Sequence, residues 1–139
     1  MRNVWNNVAV GEADDFRLSL DCNQDEPSRW VIVIDTPLLH LWLETPNHNV
    51  AHDALLFFER TRGTKPPLRL DIAVGTFCGH RVRLTKNDED ERYFLQLLPS
   101  EGSNPGGDFF MRIEDDVVEQ AVSALRQVVK QLDARPEPH

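Results

Sequence analysis

Cysteine is scarce in this chain. Of 139 residues only Cys22 and Cys78 carry thiols, and they form no Cys-x-x-Cys pair, which removes the usual zinc and dithiol redox signatures. Two separate buried thiols suit a reducing compartment; one disulfide is the alternative. Long apolar runs are also missing, since Leu55-Leu56-Phe57-Phe58 falls far short of the ~20 residues that cross a bilayer. Asn3, Asn6 and Asn7 interrupt the stretch where a secretory signal needs unbroken apolar residues. Cytoplasmic location without membrane association is the resulting expectation. Positive charge is short too: Lys+Arg 15 against Asp+Glu 23 gives a net charge of -8. Nucleic-acid backbones and anionic membranes repel such a chain unless a local patch overcomes the sign.

Catalytic motifs are likewise wanting. Ser19, Ser28, Ser100, Ser103 and Ser123 sit in no G-x-S-x-G turn, and there is neither a phosphate-binding G-x-x-x-x-G-K-[ST] loop nor a dinucleotide fingerprint. Carboxylates pair only within exposed acidic runs, where nothing is expected to shift their pKa values usefully. No catalytic residue and no cofactor are expected.

What is present is an ordinary globular composition, 40% hydrophobic and 27% charged, at a length that makes one domain over residues 1–139. Displacing the sequence on itself by 64 positions lays Ala9-Val10-Gly11 on Ala73-Val74-Gly75, Arg17 on Arg81, Leu20 on Leu84 and Asn23 on Asn87. A further insertion in the Gly/Pro/Ser loop from Pro99 to Asp108 restores the match at 70, with Ala51 on Ala121, Ala54 on Ala124 and Leu55 on Leu125. Repeat one then covers 1–62, a linker 61–67, repeat two 68–132 and a frayed tail 133–139.

Hydrophobic periodicity predicts the same elements in each unit. Strands are expected at Val4–Val10, Phe16–Leu20, Trp30–Ile34 and Leu39–Leu43, then a helix with Thr45 as cap and Pro46 in its first turn. The second unit gives strands at Leu68–Val74, Arg81–Leu84, Tyr93–Leu98 and Phe109–Ile113. Its helix, capped by Asp115 or Asp116, steps through Val118, Ala121, Val122, Leu125, Val128, Val129 and Leu132. The expected class is α+β: two ββββα repeats, each an antiparallel meander with a C-terminal helix, packed with pseudo-two-fold symmetry.

Tandem ββββα units with alternations such as Arg92 to Leu98 resemble the PUR-repeat, Whirly and PC4-like group of folds. That resemblance implies a curled sheet whose aromatic and basic side chains bind single-stranded nucleic acid, with repeats or subunits paired through their helices. The acidity of the chain departs from that pattern.

Alternation also nominates a face. With Leu39, Leu41 and Leu43 inward, His40, Trp42 and Glu44 point out, and Phe110, Arg112 and Glu114 are their repeat counterparts. Leu18/Leu20 and Val82/Leu84 inward leave Arg17 with Ser19, and Arg81 with Arg83, outward. Val31/Val33 and Leu95/Leu97 inward leave Trp30 and Phe94 outward. Arginines beside aromatics can stack bases and hold phosphates; Ile32, Ile34 and Leu98 on the same face point instead to a protein interface. Strand three carries apolar residues on both faces, so its orientation stays open.

Other clusters are less specific. Arg60, Arg62, Lys65 and Arg69 offer a phosphate or acidic-protein contact, or a solvated loop beside a helix C-terminus. Acidic turns occur at Glu12–Asp15, Asp25–Glu26, Asp88–Glu91 and Glu114–Asp116, without the Gly and distal Glu of a calcium loop. His48 and His52 have ligand-like i, i+4 spacing, with Asp53, Cys78 and His80 as candidate co-ligands, yet lack the glutamate of H-E-x-x-H. Structural histidines at the rim of the helix are the alternative. The functional expectation is a non-catalytic interaction module binding another protein or itself as a homo-oligomer; single-stranded nucleic-acid binding is second and a metal site third.

Overall fold

The computed structural model describes residues 5–45, 48–62, 70–77, 80–86, 92–98 and 109–134; side chains are described for all of these except 70, 71, 77, 109 and 110. Predicted features at Lys65, Arg69, Cys78, Asp88–Glu91 and the 99–108 loop lie outside the described residues. The element order is β1 (Trp5–Ala13), β2 (Phe16–Asn23), β3 (Trp30–Thr36), β4 (Leu39–Thr45), α1 (Val50–Thr61), β5 (Leu70–Phe77), β6 (His80–Lys86), β7 (Tyr93–Leu97), β8 (Phe109–Ile113) and α2 (Asp115–Asp133). These eight strands form one antiparallel sheet in chain order, so the α+β class holds.

Period-two alternation decides which side of the sheet meets the helices. Leu18 faces Ile34 and Leu20 faces Ile32 across β2 and β3, and Ile32 faces Leu43 on β4. In the second half Leu84 faces Leu95, which faces Met111. Leu18, Leu20, Ile32, Leu43, Val82 and Leu84 join one core with Ala51, Ala54, Leu55 and Phe58 of α1 and Ala121, Val122, Leu125 and Val128 of α2.

Strand β3 corrects an expectation: Trp30, Ile32 and Ile34 face the helices, while Val31 and Val33 lie on the outer face. Apolar residues on both sides leave alternation uninformative, and the register with Leu18 and Leu20 decides it. Trp30 packs on the core and against His48, with ring centroids 5.5 Å apart.

Helix starts differ from expectation as well. Thr45 belongs to β4, paired with Trp30 and buried, so it does not cap α1; Asn49 occupies the N-cap position. Glu114 takes that place at α2, and Asp115 and Asp116 fall in the first turn, where carboxylates favour the helix dipole. Asp133, expected in the tail, ends α2.

Two glycines permit close backbone approaches. At the seam between the sheet halves, where Glu44 pairs with Thr76, Gly75 has φ of +146° and a Cβ there would sit 2.5 Å from the Glu44 carbonyl oxygen. On β1, a Cβ at Gly11 would collide with the backbone of Ala124, so α2 rests directly on that strand. The Gln131 amide accepts from Val10 N at 2.9 Å and donates to Val10 O at 2.6 Å. One turn earlier Gln127 does the same for Glu12, at 3.0 and 2.7 Å. Side-chain amides thereby satisfy backbone groups along the edge strand.

At the far end of α1, buried Lys86 donates to the carbonyl of Thr61 and stands 5.1 Å from the Tyr93 ring centroid. Thr61 Oγ1 donates to Phe57 O at 2.7 Å and lies 2.5 Å from the Tyr93 hydroxyl. A cation at helical carbonyls suits the negative end of the dipole. Burial raises the Tyr93 phenol above its ordinary range, opposed by the Thr61 hydrogen bond and the Arg62 charge.

Candidate functional site

Outer-face residues of the first half fall into rows along the hydrogen-bonding direction. Glu12, Arg17, Asp35 and His40 form one row; Val10, Ser19, Val33 and Trp42 form the next. A third runs through Asn7, Asp21, Val31 and Glu44 and crosses the seam to Thr76 and Arg81. Val31 and Val33 are buried, whereas Trp42 is 42% exposed.

Trp42 is fixed from two directions. Its ring meets Trp5 edge-on with centroids 6.2 Å apart, and its Nε1–H donates to His40 Nε2 at 3.1 Å. On its other side His40 Nδ1 lies 3.5 Å from Asp35 Oδ1. Arg29 lies 5.5 Å from the Trp5 ring centroid and reaches Glu26 at 3.0 Å and Glu44 at 2.7 Å. These two carboxylates raise the Arg29 pKa further. Sequence reasoning missed Trp5 and Arg29. Trp5 shares its face with Asn7, a legible period-two signal, but nothing local to Arg29 reveals its long reach to Glu44.

The predicted face therefore assembles in part. Arg17, His40 and Trp42 share the outer face, and Trp30 does not. In the second half Arg81 is exposed, while Arg83 and Phe94 are half-buried on outer rungs. Phe110 pairs with Gln96, its side chain lying outside the described ones, and exposed Arg112 pairs with Phe94. Gln96 and Thr85 on this face are buried. Arg17 meets Glu12 at 3.2 Å and Arg112 meets Glu114 at 3.4 Å, so carboxylates already neutralise two of the arginines nominated for phosphate.

His48 and His52 do not converge on a common point. His48 packs on Trp30, and His52 Nε2 lies 2.8 Å from Asp133 Oδ1, tying α1 to the end of α2. His80 Nδ1 lies 3.2 Å from the carbonyl of Leu98. Among the described residues no group of three or more His, Cys, Asp or Glu side chains is placed to hold a metal. Cys22 Sγ lies 3.3 Å from the Pro27 carbonyl oxygen. No described helix is long and apolar enough to cross a membrane.

The inner face holds a cavity of about 260 Å³. Its lining includes Phe16, Leu18 and Ile32 from the first half, Leu84 and Leu95 from the second, and Ala54 and Ala121 from the helices, so both halves curl around one space. Its existence was not legible beforehand, although the alanines of both helices were.

Comparison with known proteins returns no match, whether to a family model, a curated protein or a solved structure.

Proposed function

We propose that the protein is a non-catalytic interaction module whose docking face is the outer surface of β1–β4, centred on Trp42. The carrying observation is an exposed tryptophan held in place before any partner arrives, by Trp5 on one side and His40 on the other. Pre-fixed aromatic anchors lose little entropy on binding, and Trp with Arg dominates interface hot spots. The net charge of -8 and the acidic turns at Glu12–Asp15 and Asp25–Glu26 favour a basic protein as partner. The paired states of Arg17 and Arg112 speak against a phosphate platform. A photo-crosslinking residue at Arg17 should capture a partner from cell extract, and Trp42→Ala should weaken that complex about 30-fold while leaving the circular dichroism unchanged. Undiminished binding by Trp42→Ala overturns the reading, as does salt-sensitive retention of a single-stranded oligonucleotide that Arg81→Ala abolishes. Self-association lost in Trp42→Ala would make the partner a second copy.

We further read the chain as two ββββα units related by pseudo-symmetry, in the manner of PUR-repeat and Whirly-like folds, acting in the cytoplasm. Gly11 and Gly75, matched in the sequence, both mark close backbone approaches, and β1 and β5 each carry a register shift, between Asn7 and Ala9 in β1 and, two residues further along the repeat, between Ala73 and Gly75 in β5. The ladders diverge beyond: Cys22 pairs with Trp30 but Lys86 pairs with Tyr93, so Tyr93 rather than Phe94 occupies the rung that corresponds to Trp30.

A further inference from the structure

The geometry points to a second binding site that is separate from the outer face: the inner cavity takes one uncharged, hydrocarbon-like small molecule about the size of naphthalene or a monoterpene. Its floor is built from buried apolar side chains, among them Leu18, Ile32, Leu84 and Leu125. The more exposed lining residues, Thr36, Leu38, Leu39, Met111, Arg112 and Glu114, place the mouth between the β3–β4 turn and the β8–α2 junction, where Arg112 and Glu114 pair with each other at 3.4 Å. Leu38, 98% exposed, stands at that opening.

Chemistry narrows the occupant. Apolar cavities exclude water, and one of about 150 Å³ already binds benzene, so a space of about 260 Å³ suits a molecule one ring larger. The named floor residues offer no polar side chain, which penalises a buried charge or an unpaired amide. A peptide segment would bring backbone groups that this floor does not pair, and a small hydrocarbon brings none. Ala54 and Ala121 keep the space open from both helices, where any larger side chain would enter it.

The test titrates the full chain with naphthalene and, separately, with naphthalene-2-sulfonate, following the methyl NMR signals of Leu18, Leu84 and Leu125 together with the melting temperature. Naphthalene should shift those methyls saturably and raise the melting temperature, as a ligand of the folded state must. The sulfonate should bind at least tenfold more weakly. Ala54→Leu and Ala121→Leu should each reduce naphthalene affinity at least tenfold, so if one fails to fold the other decides. Trp42→Ala should bind naphthalene like the native chain, which keeps this proposal independent of the docking face. Absence of a saturable shift, equal binding of the sulfonate, undiminished binding in a folded filled variant, or loss in Trp42→Ala overturns the assignment. A dimer that Leu39→Ser dissociates would give the mouth to a second copy and overturn it too.

Discussion

Asp21 carries a charge in an uncomfortable place. Partial burial pushes its carboxyl above the ordinary range, while hydrogen bonds from Ser19 and Asn7 and the charge of Arg17 pull the other way. A carboxyl raised in the folded state favours folding when protonated: that contribution is full below the unfolded pKa and is lost as pH rises through the folded one. At neutral pH the ionised group is a net cost. Asp21→Asn keeps an acceptor for Asn7, which donates at 2.9 Å. The variant should melt higher at pH 7, by less than about 1 kcal/mol given solvent screening, and match the native chain near pH 3. Thermal denaturation at both values checks it; an equal gain at pH 3 would exclude the charge as cause.

Among the elements, α2 was the most legible from sequence and α1 the least at its start. Seven apolar positions stepping by three and four fix the buried stripe of α2, and all but Val129 and Leu132 are buried. Thr45 and Pro46 resemble a helix start, but pairing of Thr45 with Trp30 extends β4 instead, a tertiary choice that local chemistry does not reveal. The face of β3 was similarly hidden, because Val31 and Val33 are as apolar as Ile32 and Ile34. Gln127 and Gln131 read as ordinary polar positions on a helix. Their role depends on backbone groups more than a hundred residues away. Replacing both with Ala removes four hydrogen bonds and should cost about 2–6 kcal/mol at roughly 0.5–1.5 kcal/mol each, and should leave the β1 edge open to pairing. Sedimentation should then show concentration-dependent association beyond that of the native chain; a double variant that associates no more than the native chain would refute the capping role.

For the molecule as a whole, composition and alternation disclose the class, the element order and most inward residues, whereas the joining of two meanders into one sheet was beyond them. That union hangs on the Glu44–Thr76 rung, a glycine at 75 and a shared core. Because α2 packs chiefly on β1 and β2, strands of the other half, rather than on the meander that precedes it, residues 1–62 without it present Leu18 and Leu20 to water. Such a fragment should show no cooperative thermal transition by circular dichroism. A sharp transition would mean that the first half stabilises itself.

The grip of α2 on β1 also bears on how the chain is made. A ribosome releases β1 long before Gln127 and Gln131 exist, so that strand waits through the synthesis of more than a hundred further residues with its edge bare. Contacts of such long sequence separation slow folding and lengthen exposure to aggregation. A nascent chain stalled just before α2 is therefore the species for which a holding chaperone would matter most.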